Sequence, residues 1–210
     1  MRILLTAGPT HEPIDPVRYI GNRSSGRMGA ALAQAAQRAG HGVTLILGPV
    51  TVAMPADIPR IDVETADQML QAVLREFPQH DLLIMAAAVS DYRPKSVAAE
   101  KLGRHGGLVL ELEATPDIVA AAGKLKRPDQ RTVGFSLEAA GDLDRARRKL
   151  TQKNLDLIVY NPASTIGSEM IQATLLWPGG RSENVTSRPK AELADILIQR
   201  CIQLLAGGRR

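Results

Sequence analysis

Every side chain from Leu82 to Ala88 is apolar. A strand with one wet face alternates between apolar and polar residues. A run this continuous is expected to be buried on both faces. Both faces of a sheet are covered when helices pack above and below it, and such sheets are mostly parallel. The rest of the chain has the matching rhythm. Arg2 to Thr6, Val43 to Leu47, Arg60 to Val63, Thr132 to Ser136 and Leu155 to Val159 are short strand-like runs. Helix-spaced segments separate them. Residues 26–39 place Met28, Leu32, Ala35 and Ala36 on one face, behind a possible Ser24 or Ser25 cap. Thr65 can cap a helix carrying Met69, Ala72, Val73 and Phe77. Residues 142–153 form a basic helix, and Ala191 to Leu205 close the chain as an amphipathic one. Leu108 to Leu112 reads as a strand, Pro116 as the first-turn residue of a helix, and Ala173 to Trp177 before Gly179-Gly180 as half of a hairpin. Residues 92–107, with Pro, Lys, Arg and Gly, read as a mobile loop or flap. The expected fold is α/β: one Rossmann-like three-layer domain over residues 1–210, with a mostly parallel sheet. A flap at about 92–113 and the hairpin would extend it. Ligands in such folds sit at the carboxyl ends of the strands.

Charge and composition narrow the function. The 26 basic residues are interleaved with 22 acidic ones, for a net charge of +4. Aromatics make up 3% of the chain, too few for a base-stacking platform, so nucleic acid is not the expected partner. A cationic excess suits phosphorylated small molecules instead. No apolar run reaches the roughly 20 residues a membrane span needs, and no signal peptide precedes the first strand. Cys201 is the only cysteine, so no internal disulfide can form. A cytoplasmic protein without membrane association is expected.

Several segments carry the chemistry. Residues 6–20 leave the first strand as a long loop stiffened by Pro9, Pro13 and Pro16. It is either a surface loop or a preorganised platform for Arg18, whose guanidinium matches carboxylate or phosphate. Gly21-Asn22-Arg23-Ser24-Ser25-Gly26-Arg27-Met28-Gly29 opens the first helix with small residues. Either it is an ordinary serine cap or it cradles an anion on backbone amides. Neither GxGxxG nor GxxxxGK[ST] is present. Met85, Ala86 and Ala87 leave room for a flat ligand at a strand end. Asp91 follows, able to accept from a ribose hydroxyl, approach a divalent cation or simply close a local turn. Lys149 and Lys153 share a helix face as a phosphate clamp or a solvated basic surface.

Taken together, these segments resemble the phosphopantothenate–cysteine ligase family. The resemblance runs from Met1 to about Leu205. It rests on TAGPTHEPIDPVRYIGNRSSGRMG, AAAVSDYRP, Glu100-Lys101, TPDIV, VGF and the Lys149 to Asn154 stretch, in the family's order. It implies a two-step reaction. A nucleoside triphosphate, CTP rather than ATP by family habit and accompanied by Mg²⁺, activates 4′-phosphopantothenate as an acyl-nucleotidylate. L-cysteine then displaces the nucleoside monophosphate. By the same resemblance, Asn22 and Lys101 are catalytic. Asn22 is expected to hydrogen-bond the acyl oxygen, and Lys101 in the flap to contact the triphosphate. Met85, Ala86, Ala87, Asp91, Pro116, Asp117, Ile118, Val119, Phe135, Lys149 and Lys153 are the implied nucleotide contacts. Arg18, Asn22, Ser24 and Ser25 are the implied substrate contacts, and Asp91 is the candidate metal ligand. No flavin is expected in this half. The resemblance also implies a homodimer and a monofunctional ligase beside a possible separate phosphopantothenoylcysteine decarboxylase.

The chain departs from the family at the flap, which reads Lys101-Leu102-Gly103-Arg104 instead of KxKK. It departs again at Phe135-Ser136-Leu137-Glu138-Ala139, at Tyr160-Asn161, and near 166–173, where Ile171 stands close to an expected Asn. Two other functions compete. A short-chain NAD(P)-dependent oxidoreductase shares the fold pattern. However, Tyr92 and Lys95 are three apart rather than four, and Pro94 forbids a helix there. A catalytically silent nucleotide-binding protein would explain the altered flap.

Overall fold

The computed structural model describes residues 1–104, 106–138, 142–162 and 168–207. Residue 105 of the flap, Ala139, and residues 166 and 167 of the stretch before the hairpin lie outside these ranges. Strand β1 (Arg2–Ala7) is followed by a ribbon of β2 (His11–Pro13) and β3 (Tyr19–Gly21), then by helix α1 (Arg27–Arg38). Next come β4 (Gly42–Leu47), β5 (Arg60–Asp62), α2 (Ala66–Glu76) and β6 (Leu82–Met85). A second ribbon pairs β7 (Tyr92–Pro94) with β8 (Leu112–Ala114). Then follow α3 (Ile118–Leu125), β9 (Arg131–Glu138), α4 (Leu143–Gln152), β10 (Leu157–Pro162), the hairpin β11 (Met170–Leu176) and β12 (Ser182–Pro189), and α5 (Lys190–Gly207).

Eight strands form one sheet in the order β12-β11-β10-β9-β6-β1-β4-β5. The six from β10 to β5 are mutually parallel. Numbered along the chain, they lie in the order 3-2-1-4-5-6, the doubly wound Rossmann arrangement. The continuous apolar run sits where its composition requires. Leu82 and Ile84 join a core with α1 and α5, while Leu83 and Met85 join one with α2 and α3. Helix α4 packs on that second face, over Ile158 and Tyr160. The layers are therefore α1 and α5 on one side, and α2, α3 and α4 on the other.

Element boundaries differ from the sequence expectation where tertiary contacts decide them. Helix α1 is capped by Gly26, at φ +83°, with no side-chain cap, so neither Ser24 nor Ser25 fills that role. A Cβ on Gly26 would stand 2.5 Å from the Val50 side chain, so the turn needs glycine for space as well as for φ. Helix α3 begins after Asp117, whose carboxylate accepts from the Ala120 N–H, and Pro116 precedes the cap. The predicted strand at Leu108 to Leu112 moves to Leu112–Ala114. Pairing of Arg93 opposite Glu113, with an ion pair between them, sets that register. Thr65 does cap α2, through a reciprocal capping box with Gln68.

Candidate active site

The chain leaves β1 towards one helix layer and β6 towards the other, so a crevice opens between their carboxyl ends. Backbone bonds sew its rim together. Ala88 N–H donates to the Gly8 carbonyl at 2.8 Å, and the Thr10 N–H to the Ala88 carbonyl at 3.3 Å. Buried Thr6 and Thr10 finish the job with their hydroxyls, which accept from Ala87 N–H and Ser90 N–H. The loops after the two central strands are thus one rigid frame. Beside it lies a cavity of about 590 Å³.

Its floor is Met85, Ala86 and Ala87, small enough at the strand end to admit a flat group. The turn from Asn22 through Ser24 and Ser25 to Gly26 forms one rim. The start of α3, from Pro116 through Asp117 and Ile118 to Val119, forms another, with Asp91 beside it. Phe135 lines the cavity from β9, and Lys149 and Lys153 reach it from α4. The folding of distant segments therefore brings together all but two of the predicted site residues. The exceptions are Arg18 and Lys101, which are not on the cavity wall.

Arg18 has another engagement. Its guanidinium binds Asp15 Oδ2 through Nε at 2.9 Å and Nη2 at 2.5 Å, and Nη2 also donates to the Leu102 carbonyl at 2.7 Å. Asp15 in turn accepts from Leu102 N–H at 3.1 Å, as well as from the N–H groups of Val17 and Arg18. Both backbone groups of Leu102 are therefore held, which latches the flap to the loop after β1. Lys101 is exposed immediately before that latch. The Arg18 hydrogen bond, aided by those backbone N–H groups against the opposing effect of burial, holds the Asp15 carboxyl far below the usual carboxylate range.

Asn22 also has work of its own. Its Nδ2 donates to the carbonyls of Ala88 at 3.1 Å and Val89 at 2.9 Å. Both partners are acceptors, which fixes the amide orientation. The donor expected at an acyl oxygen is engaged in holding the cavity wall, and the capacity left to Asn22 is that of an acceptor. At the opposite rim, Lys153 Nζ lies 2.9 Å from Asp117 Oδ2. Burial raises the Asp117 carboxyl, but the Lys153 bond, the Ala120 N–H and the charges of Lys153 and Lys149 together bring it below its ordinary value. Among the described residues no cluster of three His, Cys, Asp or Glu could hold a metal by itself.

The cavity wall also includes residues not named as site contacts from the sequence: Arg27 from α1, within the glycine-rich segment, Asn161 and Ile171 from the sheet, both at departures from the family pattern, and Lys190 from α5. The signal for Arg27 was present, since it stands in the first helix's opening turn. Lys190 carried no local signal.

The family model for the DNA/pantothenate metabolism flavoprotein C-terminal domain matches residues 1–205. The chain belongs to this family. A coenzyme A biosynthesis bifunctional protein CoaBC of Vibrio vulnificus strain YJ016 is 42% identical over 212 residues, covering 98% of this chain and 52% of that protein. A protein from an unknown prokaryotic organism, named cysteine/cysteine sulfinic acid decarboxylase, is 42% identical over 210 residues, covering 97% of this chain and 58% of that one. The chain thus spans little more than half the length of these curated relatives. Among solved structures, the C-terminal domain of a coenzyme A biosynthesis bifunctional protein CoaBC superposes with a TM-score of 0.85 at 36% identity, covering 98% of this chain and 96% of that one. The architecture superposed on that domain is a mostly parallel α/β sheet clothed by helices on both faces. No helix among the described residues is long and apolar enough to cross a membrane.

Proposed function

We propose that this family member is a phosphopantothenate–cysteine ligase of coenzyme A biosynthesis. The observation that carries this reading is the cavity at the strand switch point, with a small-residue floor and cations reaching it from both helix layers. The match to the CoaBC C-terminal domain supports it. A carboxylate is inert to amines until one of its oxygens becomes a good leaving group. In the first step a phosphopantothenate carboxylate oxygen bonds to the nucleotide α-phosphorus and the bond to pyrophosphate breaks. In the second, the cysteine amine bonds to the acyl carbon, the nucleoside monophosphate leaves, and the nitrogen loses a proton. Both steps need positioning and charge neutralisation more than covalent participation by the protein.

The residues divide that work. Met85, Ala86, Ala87 and Phe135 hold the flat base, and the start of α3 and Asp91 hold the sugar. The turn from Asn22 to Gly26 meets the phosphates. Lys149 and Lys153 add charge from α4, and Lys101 adds it from the flap. Asn22 fixes the wall and offers its oxygen to the cysteine N–H. Magnesium, carried in on the triphosphate, supplies charge neutralisation. Asp91 is the carboxylate that would approach such a cation, because Asp117 is spent on Lys153 while Asp91 makes no side-chain bond among the described residues. CTP is the favoured nucleotide.

A homodimer is part of the same proposal. Val17, Tyr19, Tyr92, Val97, Leu108 and Val109 are exposed apolar residues on the two ribbon segments. They sit in the loop after β1 and in the flap, and they offer a surface for a second copy. A separate decarboxylase would then supply the next reaction.

Pyrophosphate release tests the reading directly. It should require both a nucleotide and phosphopantothenate, and run faster with CTP than with ATP. A nicotinamide absorbance change without pyrophosphate would identify an oxidoreductase. Nucleotide binding with neither signal would identify a silent binding protein.

A further inference from the structure

The hairpin and last helix do more than cover the sheet. Strand β11 runs antiparallel to β10, and β12 antiparallel to β11. Two reversals return β12 to the direction of the parallel strands. It ends at Pro189 on their carboxyl edge, and α5 starts there at Lys190. Helices α1 and α5 share one layer, so both begin at the cavity.

Lys190 is unusual among the partly buried cations. Lys126 pairs with Asp156 at 2.8 Å, and Arg200 with Glu183 at 2.8 Å. Lys190 has no side-chain hydrogen bond or ion pair among the described residues; its backbone N–H goes to the Glu169 carbonyl at 3.1 Å. Another cation, Arg27, lines the same cavity. Burial first, and the Arg27 charge second, push the Lys190 ammonium below its ordinary range. The carboxylates on the cavity wall are Asp91 and Asp117, and Asp117 is committed to Lys153 on the α4 side. A partly buried lysine without a side-chain partner, with a second cation on the same wall, is stabilised by a dianion bound in the cavity.

We infer that Lys190 and Arg27 form a phosphate subsite on the α1/α5 wall of the cavity. The ligand chemistry is a phosphate dianion. It can come from the terminal phosphates of the nucleotide or from the phosphate ester of the acyl substrate, and only these names rest on the ligase reading. Calorimetric titration of the wild type, Lys190→Gln and Lys190→Arg tests the inference. The ligands are inorganic pyrophosphate, CTP, CMP, phosphopantothenate and pantothenate. Lys190→Gln should weaken at least one phosphate-bearing ligand by about ten- to a hundredfold, the effect of losing one charge-assisted bond. Lys190→Arg should recover most of it. Loss for pyrophosphate and CTP but not CMP places the nucleotide's terminal phosphates there. Loss for phosphopantothenate but not pantothenate places the acyl substrate's phosphate there. Unchanged affinities in Lys190→Gln, or no binding of any phosphate-bearing ligand to the wild type, overturns the subsite. A subsite that survives this test in a protein releasing no pyrophosphate from CTP and phosphopantothenate would sink the ligase reading alone.

Discussion

At the residue scale, Asn22 shows how a side chain can serve a site through the backbone around it. Its two donors pin the carbonyls of Ala88 and Val89, so its geometry and that of the cavity wall are one thing. Asn22→Asp would set a carboxylate against those two carbonyl oxygens. The variant should still release pyrophosphate once, because a neutral amide contributes little against triphosphate charge. It should then stall, with coupling slowed about a hundredfold by the misplaced wall. Mass spectrometry of a quenched single turnover would show the accumulated acyl-nucleotidylate. Slowing of the first step instead would move Asn22 to activation. Lys101 gives the opposite pattern. Lys101→Gln removes a flap cation and should depress pyrophosphate release while leaving the unfolding transition where it was. An unchanged first-step rate would remove Lys101 from the chemistry.

At the scale of elements, the flap owes its position to the Asp15 latch. Asp15→Ala removes the acceptor of the Leu102 N–H and the carboxylate that anchors Arg18 against the Leu102 carbonyl, and it should expose the flap to trypsin after Lys101 and Arg104. Fragment analysis should show cleavage several-fold faster than in the wild type, and equal rates would mean that other contacts hold the flap. Acid has a related effect. The Asp15 carboxyl is depressed when folded, so its contribution is complete above the unfolded value of about 3.9 and fades as pH falls towards the lower folded one. Denaturant titrations from pH 6 to pH 2 should therefore show a shallower acid decline in Asp15→Asn than in the wild type. The elements also show what a sequence discloses about itself. The apolar run of β6 and the Thr65 capping box are local, and both were legible. The cap of α1 was not, because Gly26 is required by contact with Val50, a residue from the loop after β4. The pairing of Arg18 with Asp15 was equally hidden, since a guanidinium suited to a ligand is just as suited to a buried carboxylate.

At the scale of the whole molecule, the doubly wound order followed from the alternation of runs, and it brought most of the candidate site to one edge. Lys190 remained hidden because its place depends on two strand reversals and not on any neighbour in sequence. The apolar ribbons carry the prediction of a pair. Light scattering at micromolar concentration should report twice the chain mass of 22.6 kDa. Replacing Tyr19 and Val109 by charged residues should shift it towards the monomer, and a monomeric wild type would refute the dimer. One further consequence concerns handling. Strand β1 starts, and α5 finishes, at the sheet edge away from the cavity. About 27 Å of helix, 18 residues long, separates Gly207 from Lys190. A chip or electrode that grips the molecule by Arg2 or Gly207 would therefore hold the pocket mouth outward to the bulk solution. Random coupling through lysines would instead consume Lys101, Lys149 and Lys190, the groups proposed to meet the ligand.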